Sequence, residues 1–165
     1  MAPQPRSAQL QIRVTPREKA RLKRLARAAG MDLSAYVLSR ALPPESERLA
    51  GLLEALRRQG DRRFALAEFD EVLSALSAAD FPLAVESLDV TRLDSLTQNQ
   101  VAAMVEQAAA QRQAPPPAWT RDVVALERPW FATDLKALRL HLLRASPVVF
   151  RRRNLFVDAG IGSRV

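Results

Sequence analysis

The sequence contains no cysteine and a single histidine, and both shortages limit the chemistry that it can support. Without cysteine, a disulfide scaffold and a thiolate metal site are excluded. His141 lies in a leucine-rich segment, where packing or surface exposure is its expected role, so a transition-metal site is not expected. A glycine-rich phosphate loop is also missing, and carboxylates such as Asp70 and Glu71 fit solvated helix faces. We therefore expect a protein that is not an enzyme and that has no cofactor and no metal.

Long apolar runs are missing as well. No segment approaches the roughly 20 apolar residues of a membrane span, and the start MAPQPRSAQ lacks the apolar core of a signal peptide. The chain has 165 residues, of which 48% are hydrophobic, which is enough for a buried core in one or two domains. The sequence thus predicts a folded, soluble, cytoplasmic protein without a membrane partner.

Glycine is scarce, since the five glycines stand at positions 30, 51, 60, 160 and 162 and leave 61–159 without any. Tight hairpins favour glycine at positive φ, so a hairpin-rich fold is not expected there. Alanine, leucine, arginine and glutamate are abundant instead, which favours helices. We predict a mainly α protein with helices over about 16–29, 33–42, 46–59, 62–79, 97–112 and 133–145.

Local patterns support several of these helices. Thr97-Gln-Asn-Gln100 matches a capping box at the start of one of them. The helix over 62–79 carries an apolar stripe of Phe64, Phe69, Val72, Leu73 and Leu76. Residues 80–96 are ambiguous, and QAPPPAW at 113–119 predicts a linker or a rigid turn.

Charge divides the chain into three parts. Residues 1–42 hold nine Lys/Arg and two Asp/Glu, a net charge of +7. Residues 43–129 hold nine and fourteen, a net charge of −5, and residues 130–165 hold seven and two, a net charge of +5. A basic module favours a polyanionic partner, most often nucleic acid. The first part is therefore the first candidate for a DNA-binding region.

Apolar and polar residues alternate in QLQIRVTP, residues 9–16, which predicts a β-strand over 9–15. Its apolar face holds Leu10, Ile12 and Val14, and its polar face holds Gln9, Gln11 and Arg13. The sequence Thr15-Pro16-Arg17-Glu18 then forms a capping box that starts a basic helix. Gly30 ends that helix, and Asp32 caps the next one.

One strand and two helices, about 35 residues, rarely bury enough surface to fold alone. An unpaired strand is also an open edge. Dimerisation solves both problems, because two antiparallel strands then cover a shared helical core. The predicted dimer core consists of Leu10, Ile12, Val14, Leu22, Leu25, Tyr36 and Val37.

These features resemble the ribbon-helix-helix family of Arc- and MetJ-like repressors over residues 9 to about 43. The resemblance rests on the alternating strand, the proline-started basic helix, the glycine turn and the DLSAY start of the second helix. It implies an intertwined dimer in which Gln9, Gln11 and Arg13 read bases in the major groove. It also implies phosphate contacts at the start of the second helix, by Leu33 and Ser34. Arg17, on the basic helix, is the third predicted phosphate contact.

Other interpretations of this region remain open. QLQIRV also fits an ordinary edge strand, and the basic residues of the first helix also fit a solvated face. ARAAGMDLSAYV also fits a helix-turn-helix, in which the second helix would read the groove.

The C-terminal part combines aromatic, apolar and basic residues. Trp119 and Trp130 are expected to pack in a core, while VVFRRRNLFV at 148–157 has strand-like composition interrupted by three arginines. Arginine and aromatic residues are enriched at interface centres, and a strand can be added to a partner's sheet edge. The predicted partner-binding residues are Phe150, Arg151, Arg152, Arg153 and Phe156.

A ribbon-helix-helix head joined to a partner-binding tail resembles the type II antitoxins. That resemblance implies binding to operator DNA, repression of the protein's own operon and neutralisation of a toxin encoded by a neighbouring gene. The chain is longer than the simplest antitoxins, because 44–129 look like a folded helical region. A stand-alone regulator or plasmid-maintenance protein without a toxin, and an adaptor that does not bind DNA, are the alternatives.

The predicted organisation has four segments. They are a flexible N-terminus (1–8), a ribbon-helix-helix domain for DNA binding and dimerisation (9–43), a helical domain (44–113), and a proline-rich linker, helix and basic-aromatic tail of irregular and partly β structure (114–165).

Overall fold

The computed structural model describes residues 11–41, 44–58 and 62–158. The chain divides into two compact units, Met1–Leu42 and Pro43–Val165, which we call the N-terminal and C-terminal units. Within the described ranges, no helix has both the length and the apolar character needed to cross a membrane.

Two helices, α1 (Pro16–Ala28) and α2 (Leu33–Ala41), form the described part of the N-terminal unit. α1 begins with the predicted capping box, in which the Thr15 N–H donates to the Glu18 carboxylate at 2.8 Å and the Glu18 N–H donates to the Thr15 hydroxyl at 3.3 Å. Because the Thr15 N–H and hydroxyl both donate to this carboxylate, the pKa of Glu18 lies below its ordinary value. The chain turns at Gly30, whose φ of 66° lies in the left-handed region that favours glycine.

The predicted N-terminal β-strand is wrong. Residues 11–15 have no regular secondary structure, and α1 is the first regular element of the described chain; Gln9 and Leu10 lie outside the described residues. A strand exists through its hydrogen bonds to a neighbouring strand. No described segment of this chain pairs with 11–15, since the strand pairing found there joins residues near 130 and 155. Alternating polarity alone therefore does not make this segment a strand in the single chain.

The C-terminal unit is mainly helical, as predicted, and includes one pair of short strands in its described part. Its elements are α3 (Pro44–Arg57), α4 (Arg63–Ala75), α5 (Phe81–Val85), α6 (Ser95–Gln111), a 3-10 helix (Ala118–Asp122), β1 (Trp130–Phe131), α7 (Lys136–Ala145), α8 (Val148–Arg151) and β2 (Leu155–Phe156). β1 and β2 pair in parallel, and the rings of Phe131 and Phe156 stack with centroids 4.9 Å apart.

α6 is the centre of the C-terminal unit. It contacts α4, α8 and the 3-10 helix, and a helix buried around most of its circumference is a core helix. Its buried side chains are Thr97, Asn99, Val101, Ala102, Ala103, Met104, Val105, Ala108 and Ala109. Large side chains that are fully buried around it include Leu49, Leu56, Phe69, Phe81 and Leu155.

Two details of the predicted helices are corrected. Asp94, and not Thr97, caps α6, because the Asp94 carboxylate accepts the Thr97 N–H at 3.1 Å. Phe64 was expected on the buried stripe of α4, but its side chain is 80% exposed. It stands five residues before Phe69, which places the two rings on different sides of the helix.

Residues 114–158 pack into the same unit as the preceding helices and do not form a separate tail. QAPPPAW leads into the 3-10 helix, where the Trp119 Nε1–H donates to the Val85 carbonyl at 2.9 Å. Trp119 and Trp130 pack against the core, which confirms their predicted role. The predicted boundary between 113 and 114 therefore does not coincide with a boundary between compact units.

Asp94 gives this unit a pH-dependent helix cap. Burial raises its pKa, but hydrogen bonds from Thr97 and the ion pair with Arg62 outweigh burial, so the pKa lies below the ordinary 3.8. The stabilisation by this carboxylate is present above pH 3.8 and is lost as the pH falls through the folded-state pKa. Asparagine also caps helices well, so Asp94→Asn isolates the charge.

We expect Asp94→Asn to be less stable than the parent at neutral pH and the difference to shrink in strong acid, because the parent then loses its charge. The measurement is urea unfolding of the parent and of Asp94→Asn at a series of pH values from neutral to strongly acidic. A stability difference that is the same throughout would show that the charge of Asp94 does not contribute.

Candidate nucleic-acid interface

α1 presents a concentrated set of cations. Its six basic side chains are all exposed: Arg17, Lys19, Arg21, Lys23, Arg24 and Arg27. By helical spacing, Arg17, Arg21 and Arg24 fall on one stripe, on the side opposite the buried Ala26. They span roughly 10 Å of the helix axis. Guanidinium groups bind phosphate through two parallel hydrogen bonds, so this stripe, which we call the arginine stripe, has the chemistry of a phosphate-binding surface.

The second element of the interface is the start of α2. Leu33, which is half-buried, and Ser34, which is exposed, are its first two residues, as the phosphate prediction requires. The Asp32 side chain accepts the Ala35 N–H at 2.9 Å and so caps the helix. A helix N-terminus attracts anions, but the Asp32 carboxylate already places a negative charge there. The Asp32 carboxylate therefore repels a phosphate that binds at this helix start.

The third element is the segment before α1. Gln11 and Arg13 are both exposed, while Gln9 lies outside the described residues. Arg13 precedes the Thr15 cap and Arg17 follows it, so the exposed cations continue from the segment into the helix. The structure thus leaves the polar side chains of 11–15 open to a partner.

The apolar residues predicted to form the dimer core are largely uncovered in the single chain. Exposed are Ile12 (61%), Val14 (42%) and Leu25 (40%). Half-buried are Leu22 and Val37, and Leu10 lies outside the described residues. Among the described residues of this unit, the buried hydrophobic side chains are Ala26 and Tyr36. So small a core does not stabilise a two-helix unit by itself, which favours a second copy as its cover.

Three of the five residues predicted to bind a partner in the C-terminal part are buried. Phe150, Arg153 and Phe156 are 4%, 6% and 8% exposed and belong to the interior of the C-terminal unit. Arg151 and Arg152 are exposed. The reason is that Val148–Arg151 form helix α8 and that Arg152 and Arg153 follow it in a turn, so 148–154 are not a strand that presents the arginines on one face. These five residues therefore do not form one continuous surface.

Arg153 links several segments of the interior of the C-terminal unit by hydrogen bonds. Its Nε and Nη2 donate to the Glu106 carboxylate at 3.2 and 2.6 Å. Nη2 also donates to the Thr120 carbonyl at 2.6 Å. Nη1 donates to the Asn99 Oδ1 at 3.3 Å and to the Val123 carbonyl at 3.2 Å. These contacts use the five N–H donors of a guanidinium, which makes Arg153 a fully bonded structural residue.

A signal for this buried pair was present in the sequence. Glu106 is the one charged residue in the sequence of α6, and a buried carboxylate requires a cationic or hydrogen-bonding partner. The sequence does not tell which of the three consecutive arginines supplies the cation.

Comparison with protein families places a match on the N-terminal part of the chain. Residues 4–61 match the family model described as NikA-like, Mobilization protein NikA. The matched range includes α1, α2 and α3. The matching family is of the ribbon-helix-helix type, and the match supports DNA binding and dimerisation, without pointing to antitoxins in particular. Comparisons with curated proteins and with solved structures find no match.

Proposed function

We propose that this protein is a DNA-binding mobilization protein of the relaxosome kind, which binds double-stranded DNA as a homodimer through its N-terminal unit. The observation that carries the proposal is that the family match and the exposed cations fall in the same part of the chain. The range 4–61 that matches a mobilization-protein family contains the most basic part of the chain, whose cations are exposed on α1. Neither enzymatic activity nor a cofactor of its own is part of the proposed role.

In the proposed complex, phosphates bind at the arginine stripe and at the N–H groups of Leu33 and Ser34. Gln9, Gln11 and Arg13 precede α1 and contact base edges, since glutamine pairs with adenine and arginine with guanine. Phosphate contacts give affinity and base contacts give sequence preference. Replacing the phosphate-binding residues should therefore weaken binding to all duplexes, whereas replacing the base-reading residues should reduce the preference for one sequence.

The dimer follows from the uncovered apolar side chains of the N-terminal unit. Ile12, Val14 and Leu25 are exposed in the single chain and are proposed to be covered by the second copy. Sedimentation equilibrium should give a mass of two chains at micromolar concentration. Replacing Leu25 with glutamate should shift the population to monomers, and a matched replacement of the exposed Val124 should not.

Binding of the full chain to a labelled DNA duplex, measured by fluorescence anisotropy, tests the proposal. Specific binding to one duplex should persist in the presence of unlabelled random duplex. If the purified dimer does not bind any duplex at low salt, the proposal is wrong. If it binds all duplexes equally, base reading by Gln9, Gln11 and Arg13 is wrong.

Replacing Asp32 with asparagine is expected to strengthen DNA binding. Asparagine and aspartate cap helices equally well, so α2 keeps its cap while a negative charge beside the proposed phosphate site is lost. A charge at a helix N-terminus contributes about 0.3–1 kcal/mol, which corresponds to about two- to fivefold tighter binding for each of the two chains of the dimer. Equilibrium titration at constant salt is the measurement. Asp122→Asn, an equal charge change on an exposed residue of the C-terminal unit, is the control, and an equal gain in both variants would refute a local role for Asp32.

An antitoxin that represses its own operon and neutralises a toxin stays a prediction from the sequence resemblance. Co-expression with the neighbouring open reading frame is its test, and a neighbour that is harmless without this protein would count against it. The DNA titration separates both DNA-binding roles from an adaptor that does not bind DNA.

A further inference from the structure

Helix α7 lies on the C-terminal unit with most of its surface uncovered. Leu142 is its buried side chain, while Leu140 and Leu143 are 64% and 42% exposed. By helical spacing these two leucines share the side opposite Leu142 with Lys136 and Arg144. The sequence of α7, KALRLHLLRA, contains no acidic residue. We call Lys136, Leu140, Leu143 and Arg144 the α7 face.

The α7 face has the composition of a docking surface. A ten-residue helix is marginally stable by itself and depends on packing of its apolar side chains. Exposed leucines gain by burial, and the flanking cations favour an acidic surface beside the apolar contact. The fitting partner is therefore a surface that is both apolar and acidic.

Such a surface is present on α4 of the same unit. Phe64 is 80% exposed, and Ala67, Glu68 and Glu71 follow it at helical spacing on the exposed side of the helix. Phe69, Val72 and Leu73 are buried on the other side. Glu68 pairs with Arg48 at 2.8 Å, but both side chains are about half exposed, so this ion pair is weak and exchangeable. We call Phe64, Ala67, Glu68 and Glu71 the α4 face.

We propose that the α7 face of one copy docks on the α4 face of a second copy. Leu140 and Leu143 then cover the exposed ring of Phe64, while Lys136 and Arg144 meet Glu68 and Glu71. The contact is head-to-tail, because two α7 faces would bring like charges together. A head-to-tail contact uses different surfaces on the two copies and can repeat from copy to copy.

The contact is small, since one helix face on each side buries less than the ~800 Å² per partner of a stable interface. It is therefore weak between free copies and becomes effective when copies are held close together. On the assumption that the proposed DNA-binding function is right, dimers at neighbouring sites would be joined through their C-terminal units. That consequence rests on the proposed function, whereas the contact itself does not.

The absence of cysteine from the chain allows a direct test by chemical cross-linking. Full-length chains carrying Leu140→Cys are mixed with chains carrying Phe64→Cys, at a protein concentration high enough to populate a weak contact between free copies. They are treated with a short bismaleimide after nuclease digestion. We expect cross-linking about tenfold faster than between Phe64→Cys and Val124→Cys, because Val124 is an exposed apolar residue outside both faces. Cross-linking of Leu140→Cys chains with each other should also be slow. A Leu140–Phe64 rate no higher than the Val124–Phe64 rate would overturn the proposal.

Charge reversal provides a second, independent test. Adding Lys136→Glu and Arg144→Glu to the Leu140→Cys chain should reduce the rate to that of the control pair. Adding Glu68→Lys and Glu71→Lys to the Phe64→Cys chain should then restore it. Arg92→Glu with Arg128→Glu, an equal charge change at exposed positions outside both faces, should leave the rate unchanged.

The pattern of outcomes separates the docking from the proposed function. A loss of cross-linking that reversal of α4 does not restore would overturn the α4 contact. Duplex binding is measured on the same chains. Slow cross-linking with intact duplex binding rejects the docking alone, and fast cross-linking without duplex binding rejects the proposed function alone.

Discussion

Alanine at position 153 is expected to lower the free energy of unfolding of the C-terminal unit by about 3–5 kcal/mol, because it leaves a largely buried carboxylate without its cation. Arg153 is 6% exposed and donates to Glu106, to Asn99 and to the carbonyls of Thr120 and Val123. Its loss removes all of these hydrogen bonds at once. The side chain of Glu106 is 18% exposed, so solvent replaces the lost partner poorly.

Urea unfolding followed by tryptophan fluorescence measures this effect in the right unit, since Trp119 and Trp130 both lie in the C-terminal unit. Arg152→Ala is the matched control, because its side chain is exposed and a change of less than about 0.5 kcal/mol is expected. A loss below about 1 kcal/mol for Arg153→Ala would contradict a structural role for the buried pair.

A double replacement refines this prediction. Arg153→Met combined with Glu106→Leu removes both charges and keeps apolar volume, and buried ion pairs can often be exchanged in this way at little cost. We expect the double variant to be more stable than Arg153→Met alone. If the two changes are simply additive, the two side chains do not interact.

Replacing Arg17, Arg21 and Arg24 together with alanine is expected to weaken duplex binding by at least about 100-fold. This estimate takes about 0.5 kcal/mol, the lower end of the net value of a hydrogen bond, for each of the six phosphate contacts that the dimer loses. Alanine is the strongest helix former, so α1 should persist, and circular dichroism checks this. The control removes three exposed arginines from the C-terminal unit, Arg121, Arg151 and Arg152. A similar loss in both variants would show that total charge, and not the arginine stripe, determines binding.

The elements that depend on neighbouring residues were predictable from the sequence. The capping box at Thr15, the cap at Asp32 and the turn at Gly30 are local, and the structure contains all three. Each follows from residue types three or four positions apart, so no knowledge of the distant chain is needed.

The features that depend on distant partners were not predictable. A strand at 11–15 needs hydrogen bonds from another segment, and the described chain supplies none. Arg153 is buried because Glu106, 47 residues earlier, lies beside it. Phe64 is a different case, because its spacing from Phe69 alone places the two rings on different sides of α4 and could have excluded Phe64 from the buried stripe.

The salt dependence of duplex binding tests the central claim, DNA binding by the arginine stripe, most directly. The slope of log K against log salt is negative, and each lost phosphate contact reduces its magnitude by about 0.9. A dimer that loses three contacts in each chain should therefore have a slope smaller in magnitude by about 5. We predict this decrease for the variant without Arg17, Arg21 and Arg24 and an unchanged slope for the variant without Arg121, Arg151 and Arg152. An unchanged slope in the first variant, or an equal decrease in both, would contradict the claim.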